Sequence, residues 1–142
     1  MPIKWRPQMS VGIKFVDDDH RQLLSIINDF ELATRDANKS TEDILRTILD
    51  KLTNYAKEHF AREEQFQKDS GYEFYQENKE QHVILLASLK EFYENLFGGK
   101  LGSSVKARQD MAHFLNRWLI QHIIKVDLKM RDEVAAPMPD TA

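Results

Sequence analysis

Residues 41–67 read TEDILRTILDKLTNYAKEHFAREEQFQ. Ile44, Leu45, Ile48, Leu49, Leu52, Tyr55 and Ala56 recur at steps of three and four, which marks one face of an α-helix and not the two-residue alternation of a strand. The same face continues into His59 and Glu63, four residues apart and therefore neighbours on the helix surface. An apolar stripe that ends in an imidazole and a carboxylate holds both the fold and the chemistry.

Working outward, three further segments share this period. Leu23, Leu24, Ile27 and Phe30 stripe a helix from about Asp17 to Ala37. Tyr75, Leu85, Leu86, Leu89, Phe92, Tyr93 and Leu96 stripe another from about Glu73 to Phe97. Met111, Leu115, Trp118, Leu119 and Val126 stripe a fourth from about Ser103 to Val134. Ser40 followed by Asp43 resembles a capping box for the second helix, and Gly98-Gly99 supplies a stop after Phe97. Short connections make successive helices antiparallel, so the expected fold is all-α: an up-down-up-down four-helix bundle entered through an N-terminal arm. The bundle domain is expected over residues 1–134, with a flexible tail over 135–142.

The chain has 142 residues, enough for one domain with a substantial core. There is no cysteine, which excludes disulfides, thiolate metal sites and cysteine nucleophiles. A net charge of −3 argues against nucleic-acid backbone binding, and no apolar run approaches the length of a membrane span. No segment of signal-peptide type opens the chain, so a cytoplasmic location is expected.

Polar residues interrupt every stripe. His20 lies three residues before Leu23, His82 three before Leu85 with Asn78 a turn earlier, and His122 follows Trp118 and Leu119 with Asp127 five residues on. In an antiparallel bundle the beginnings of helices one and three share an end with the closings of helices two and four. His20, His59, Glu63, Asn78, His82, His122 and Asp127 therefore converge. Mirror positions about the Ser70–Gly71 boundary pair His59 with His82 and Glu63 with Asn78. His113, about 180° round the helix from His122, is expected not to join them. Buried imidazoles and carboxylates need a compensating charge, and a metal supplies one. Nitrogen and carboxylate donors without sulfur suit iron, manganese or zinc, and two carboxylates among several imidazoles can bridge a pair of cations. The five-residue step from His122 to Asp127 is about 500° on a regular helix, so a shared centre requires a π-type widening there or a side chain reaching round.

These residues resemble the hemerythrin family, in its bacterial branch, over essentially the whole chain to about Val134. The arm from Trp5 through Val11-Gly12-Ile13 to Asp17-Asp18-Asp19-His20 resembles the family's entry into helix one. His59-Phe60-Ala61-Arg62-Glu63-Glu64 resembles its His-Phe-x-x-Glu-Glu motif, Gly71-Tyr72 precedes the third helix as in relatives, and Trp118-Leu119-Ile120-Gln121-His122…Asp127 resembles its last motif. The resemblance implies two iron ions, oxo- or hydroxo-bridged, that bind O₂ reversibly as a peroxide for storage, delivery or sensing. By matching positions, His20 and His59 hold the iron with the open position, His82 and His122 hold the other, and Glu63 and Asp127 bridge them. An apolar pocket of Leu23, Phe60, Trp118, Leu119 and Ile123 is implied around O₂, excluding water and slowing loss of superoxide. The chain departs from the family at Asn78, where relatives carry a histidine. Its amide oxygen is a weaker donor than imidazole, so the second iron keeps fewer protein ligands. That departure leaves room for alternatives: an oxidase or peroxidase, or a sensor of NO or redox state, with NO or peroxide as ligand and a separate protein partner for any signal. Glu58, Glu64 and Tyr55 are the nearest further acid–base groups.

Overall fold

The computed structural model describes residues 3–35, 41–97 and 104–133. Helix α1 spans Lys14–Ala33, α2 Thr41–Asp69, α3 Tyr75–Phe97 and α4 Val105–Arg117. α4 runs through a π-helical turn, Trp118–Ile124, into α5, Lys125–Glu133, so these last segments form the fourth rod of an antiparallel four-helix bundle. No strand occurs among the described residues. Ser40, the Gly98-Gly99 pair and the tail 135–142 lie outside the described residues.

The arm is held by side chains rather than by regular structure. The Asp17 carboxylate accepts from Ser10 Oγ at 2.6 Å and from the Val11 amide at 2.7 Å. Asn28 pairs both ways with the Ile3 backbone at 3.0 and 2.8 Å, and the Arg21 guanidinium lies over the Trp5 ring at 4.7 Å. At α4 the Ser104 hydroxyl accepts from the Ala107 amide at 3.0 Å, satisfying one of the amide donors that a helix start leaves free.

The core follows the stripes read from the sequence, except at Ile44, Tyr75 and Val126, none of which joins a buried apolar cluster. Leu23, Leu24, Ile27, Phe30, Leu45, Leu49, Leu52, Ala56, Leu85, Leu89, Leu96, Met111, Leu115, Trp118 and Leu119 are buried in one apolar cluster. Ile44, assigned to the α2 stripe, is 46% exposed while Leu45 beside it is buried as expected, because the packed stripe is narrower than the apolar arc of the sequence. A fully buried side chain of this size contributes about 1.5–3 kcal/mol, so the cluster is the main stabilising element. A second cluster of Val11, Val16, Tyr72 and Met130, with Phe15, Phe74 and Leu128 against it, closes the end of the bundle near the α2–α3 connection. In the first and fourth rods the polar residues of interest fall between the two clusters: His20 between Val16 and Leu23, and Asp127 between Ile124 and Met130.

The α2–α3 connection shifts the register expected from the sequence. α2 ends in a Schellman motif: the Tyr72 amide donates to the Gln67 carbonyl at 2.9 Å and the Gly71 amide to that of Lys68 at 3.3 Å, with Gly71 at φ 66°. α3 begins only at Tyr75, so the mirror centre is Tyr72 and not the Ser70–Gly71 boundary. His82 therefore lies level with Glu63 rather than with His59. The three residues that complete the turn before α3 cause the offset.

Candidate metal centre

α1 brings His20, α2 brings His59 and Glu63, and α5 brings Asp127 to one point. One potential donor atom from each lies within 4.8 Å of all the others, and all four residues are buried. His20 Nε2 is 2.8 Å from Asp127 Oδ2, and His59 Nε2 is 3.5 Å from the same oxygen. Glu63 divides its carboxylate: Oε2 faces His59 Nε2 at 3.2 Å, while Oε1 faces His82 Nε2 at 3.2 Å. A carboxylate with one oxygen toward an α2 imidazole and the other toward an α3 imidazole separates the site into two halves.

Asp127 reaches this point through the π-helical turn. Trp118 and Leu119 are buried, and so are Ile123 and Ile124 five residues later, a burial step of five that matches i→i+5 bonding. The widening required by the five-residue spacing is thus present, and Asp127 is 1% exposed instead of facing solvent. The His122 side chain lies outside the described residues, although its backbone belongs to this turn. Asn78 is buried one turn before His82. His113 is exposed and away from the cluster. Leu23, Phe60, Trp118, Leu119 and Ile123 are all buried in the main core, with the Phe60 ring stacked on His82 at 4.0 Å and Trp118 Nε1 donating to the Leu85 carbonyl at 3.1 Å.

A second layer of groups was not legible as such in the sequence. Asp19 Oδ2 lies 2.9 Å from His59 Nδ1, and the same carboxylate accepts from Tyr55 OH at 2.9 Å and from Arg62 Nε and an Arg62 terminal nitrogen at 3.1 and 2.9 Å. On the other side Glu64 Oε2 lies 2.7 Å from His82 Nδ1. Each carboxylate can accept from the Nδ1–H of its histidine and so turns Nε2, the atom that would bind a metal once deprotonated, into the cluster, the arrangement that orients imidazole metal ligands. The sequence marked Tyr55 and Glu64 only as nearby acid–base groups, and for Asp19 the signal was adjacency, since it precedes His20. Glu58 stays at the surface beside Arg62, 3.8 Å away.

The electrostatics show what the site lacks without a cation. Burial opposes charge on Asp19, yet hydrogen bonds from His59, Arg62 and Tyr55 hold its carboxyl well below the ordinary range. Asp127 is likewise held low against burial by His20 and His59. Burial and the Asp127 charge push Glu63 up. Burial disfavours protonated His59, but contacts with Asp127, Asp19 and Glu63 raise its basicity well above normal; His82 is raised in the same way by Glu63 and Glu64. Tyr55 is pushed up to about 12 by partial burial and by its hydrogen bond to Asp19. His20 Nδ1 is buried without a hydrogen-bond partner among the described residues, and His59 Nε2 and Glu63 Oε2, though 3.2 Å apart, make no hydrogen bond. Two imidazoles and two carboxylates with orphaned atoms at one point fit a divalent or trivalent first-row metal.

A dry cluster of two imidazoles and two carboxylates, set between the helices at one end of an antiparallel bundle, defines the class: a cation-binding four-helix bundle. The chain belongs to the hemerythrin family, its residues 11–132 matching the Hemerythrin HHE cation binding domain. It is similar to the bacteriohemerythrin of Pseudomonas aeruginosa (strain LESB58), 27% identical over 138 residues, covering 96% of this chain and 84% of the relative. The bacteriohemerythrin of Stenotrophomonas maltophilia (strain R551-3) is 24% identical over 132 residues, covering 93% and 81%. The hemerythrin of Phascolopsis gouldii is 26% identical over 133 residues, covering 94% of each chain. The family binds non-haem iron, with O₂ as its ligand. Among the described residues no helix is long and apolar enough to cross a membrane.

Proposed function

We propose that this protein is a non-haem di-iron protein that binds O₂ reversibly, for storage, delivery or sensing. The observation that carries the reading is the split of Glu63 between His59 and His82, at 3.2 Å on either side, with Asp127 closing the His20–His59 half. His20 and His59 would hold one ion, His82 and His122 the other, and Glu63 and Asp127 would bridge them, together with an oxo or hydroxo group. An iron pair held there would supply the two electrons that O₂ takes up on binding and returns on release.

The chain's own residues do the rest. Asp19 and Glu64 fix the two histidines so that their Nε2 atoms need no reorganisation when a cation enters. Leu23, Phe60, Trp118, Leu119 and Ile123 keep water out, and in such a low-dielectric setting separating charge from the site is costly. That cost favours release of neutral O₂ over escape of a charged reduced product.

Anaerobic loading with ferrous iron, followed by cycles of O₂ admission and removal, tests the reading through the visible spectrum. A ligand-to-iron charge-transfer band that appears and disappears with O₂, at two irons per chain, is the expected result. An irreversible shift to the ferric spectrum would favour a second reading, an oxidase or peroxidase. That alternative draws on the buried Asn78 amide, which gives the His82 side a weaker donor. Absence of any iron-dependent band would overturn both.

A further inference from the structure

On the open face of the α2–α3 pair the charges are sorted by sign. A groove of about 550 Å³ runs between the two helices, with Asp50 and Lys57 on its α2 wall, Lys90 and Glu94 on its α3 wall, and half-buried Leu86 and Tyr93 within its lining. All four charged residues are exposed, and none makes an ion pair among the described residues. Lys90 and Glu94 are one turn apart on α3 in the less favourable order, base before acid. Because the helices run antiparallel about Tyr72, Glu94 lies level with Asp50, and Lys90 lies toward Lys57. The groove therefore has an acidic end, Asp50 with Glu94, and a basic end, Lys90 with Lys57, on the side of the metal centre. Along α2 the two signs stand two turns apart, about 10 Å.

We propose that this groove is the interface of a two-fold symmetric dimer, in which a second copy of the chain lies antiparallel across it. A dyad in the plane of the face and perpendicular to the helices lays α2 on the second copy's α2 and α3 on its α3, with each acidic end over a basic end. On α2, a dyad between Thr53 and Asn54 sets Asp50 of one copy against Lys57 of the other, twice. On α3, a dyad at Phe92 does the same for Lys90 and Glu94. Phe92 lies level with Leu52, so both requirements fall within about two residues of one height. A single axis thus joins all four charged residues of each copy, and it passes beside Tyr93, which the two copies bury together. A partner of one sign would be attracted at one end of the groove and repelled at the other, whereas a second copy carries the matching order of signs by symmetry. Exposed ion pairs contribute little each, so these pairs fix the register of a weak, salt-sensitive association. None of the four belongs to the metal centre, and the dimer needs no metal.

Sedimentation velocity of the full chain, from micromolar to millimolar concentration at low and high salt, tests the dimer, with Asp50→Lys and Lys57→Asp run alone and mixed. Wild type should form a dimer that dissociates as salt rises. Each reversal sets like charges opposite each other at two symmetry-related points, so each variant alone should self-associate roughly 10- to 100-fold more weakly. An equimolar mixture of the two variants should regain dimer, because opposite members of the pair are reversed on the two copies and attraction returns at both points. Lys90→Glu and Glu94→Lys repeat the test on α3, so a folding defect in an α2 variant cannot decide the outcome. A wild type that stays monomeric at millimolar concentration and low salt would overturn the dimer and leave the groove to another occupant. A dimer indifferent to the reversals would place the contact on a different face, and mixtures that stay monomeric on both helices would rule out the antiparallel register; either result overturns the proposal.

Discussion

Asp19 and His59, forty residues apart in sequence, meet with Asp19 Oδ2 2.9 Å from His59 Nδ1, and Tyr55 and Arg62 bind the same carboxylate. The contact fixes which imidazole nitrogen is free to face the cluster. Asp19→Asn should weaken metal binding by about 10- to 100-fold, the usual effect of losing such an orienting partner. Competition with a chelator of known affinity measures it. An affinity within threefold of wild type would show that His59 is oriented by packing alone.

The metal-free protein should have its greatest stability in mildly acidic solution. His59 and His82 titrate above their ordinary 6.5 in the fold, so their contribution is complete below that pH and lost as pH rises through the folded values. Glu63, raised above 4.5, acts in the same direction. Asp19 and Asp127 are depressed below 3.8, so their contribution is present above that value and lost as pH falls. Metal binding needs neutral imidazoles and ionised carboxylates, which reverses the alkaline slope. Thermal melts from pH 5 to 9 should show Tm falling with pH without metal and holding or rising with it. Parallel curves would contradict the assignment.

Gly71 is at φ 66°, and a Cβ added there would meet nothing within 4 Å. Gly71→Ala should therefore cost only the left-handed backbone penalty, about 1–2 kcal/mol, with no steric component. Urea denaturation gives the value. A loss below about 0.3 kcal/mol would mean that the Schellman turn opens without consequence for the fold.

Leu119 is fully buried in the core cluster that also holds Trp118 and Ile123. Leu119→Ala should destabilise by roughly 2–5 kcal/mol through lost transfer energy and a residual cavity. In the iron-loaded protein it should also speed irreversible oxidation in air, because the wall that excludes water is thinned. Unchanged oxidation alongside the expected loss of stability would move the water barrier elsewhere in the core.

The helices and most of the core were legible because burial of a helix face imposes a three-to-four-residue repeat on any sequence. The π-helical turn was legible too, since a five-residue step between His122 and Asp127 has few ways to reach one point. Ile44 was misplaced because a stripe tells which arc is apolar, not how much of that arc a neighbour covers. The level pairing of His59 with His82 failed for a related reason: the number of residues spent in the connection depends on how Gly71, Tyr72 and the start of α3 bond to one another.

Helical period and short connections were enough to specify the bundle, its antiparallel order and the end at which the imidazoles and carboxylates gather, because they leave no other economical packing. It took the packed helices to set Glu63 against His59 with one oxygen and His82 with the other, and to stand Asp19, Tyr55, Arg62 and Glu64 behind them. Those relations depend on the register between helices and on side-chain direction. Both are fixed by contacts between residues that no local pattern links.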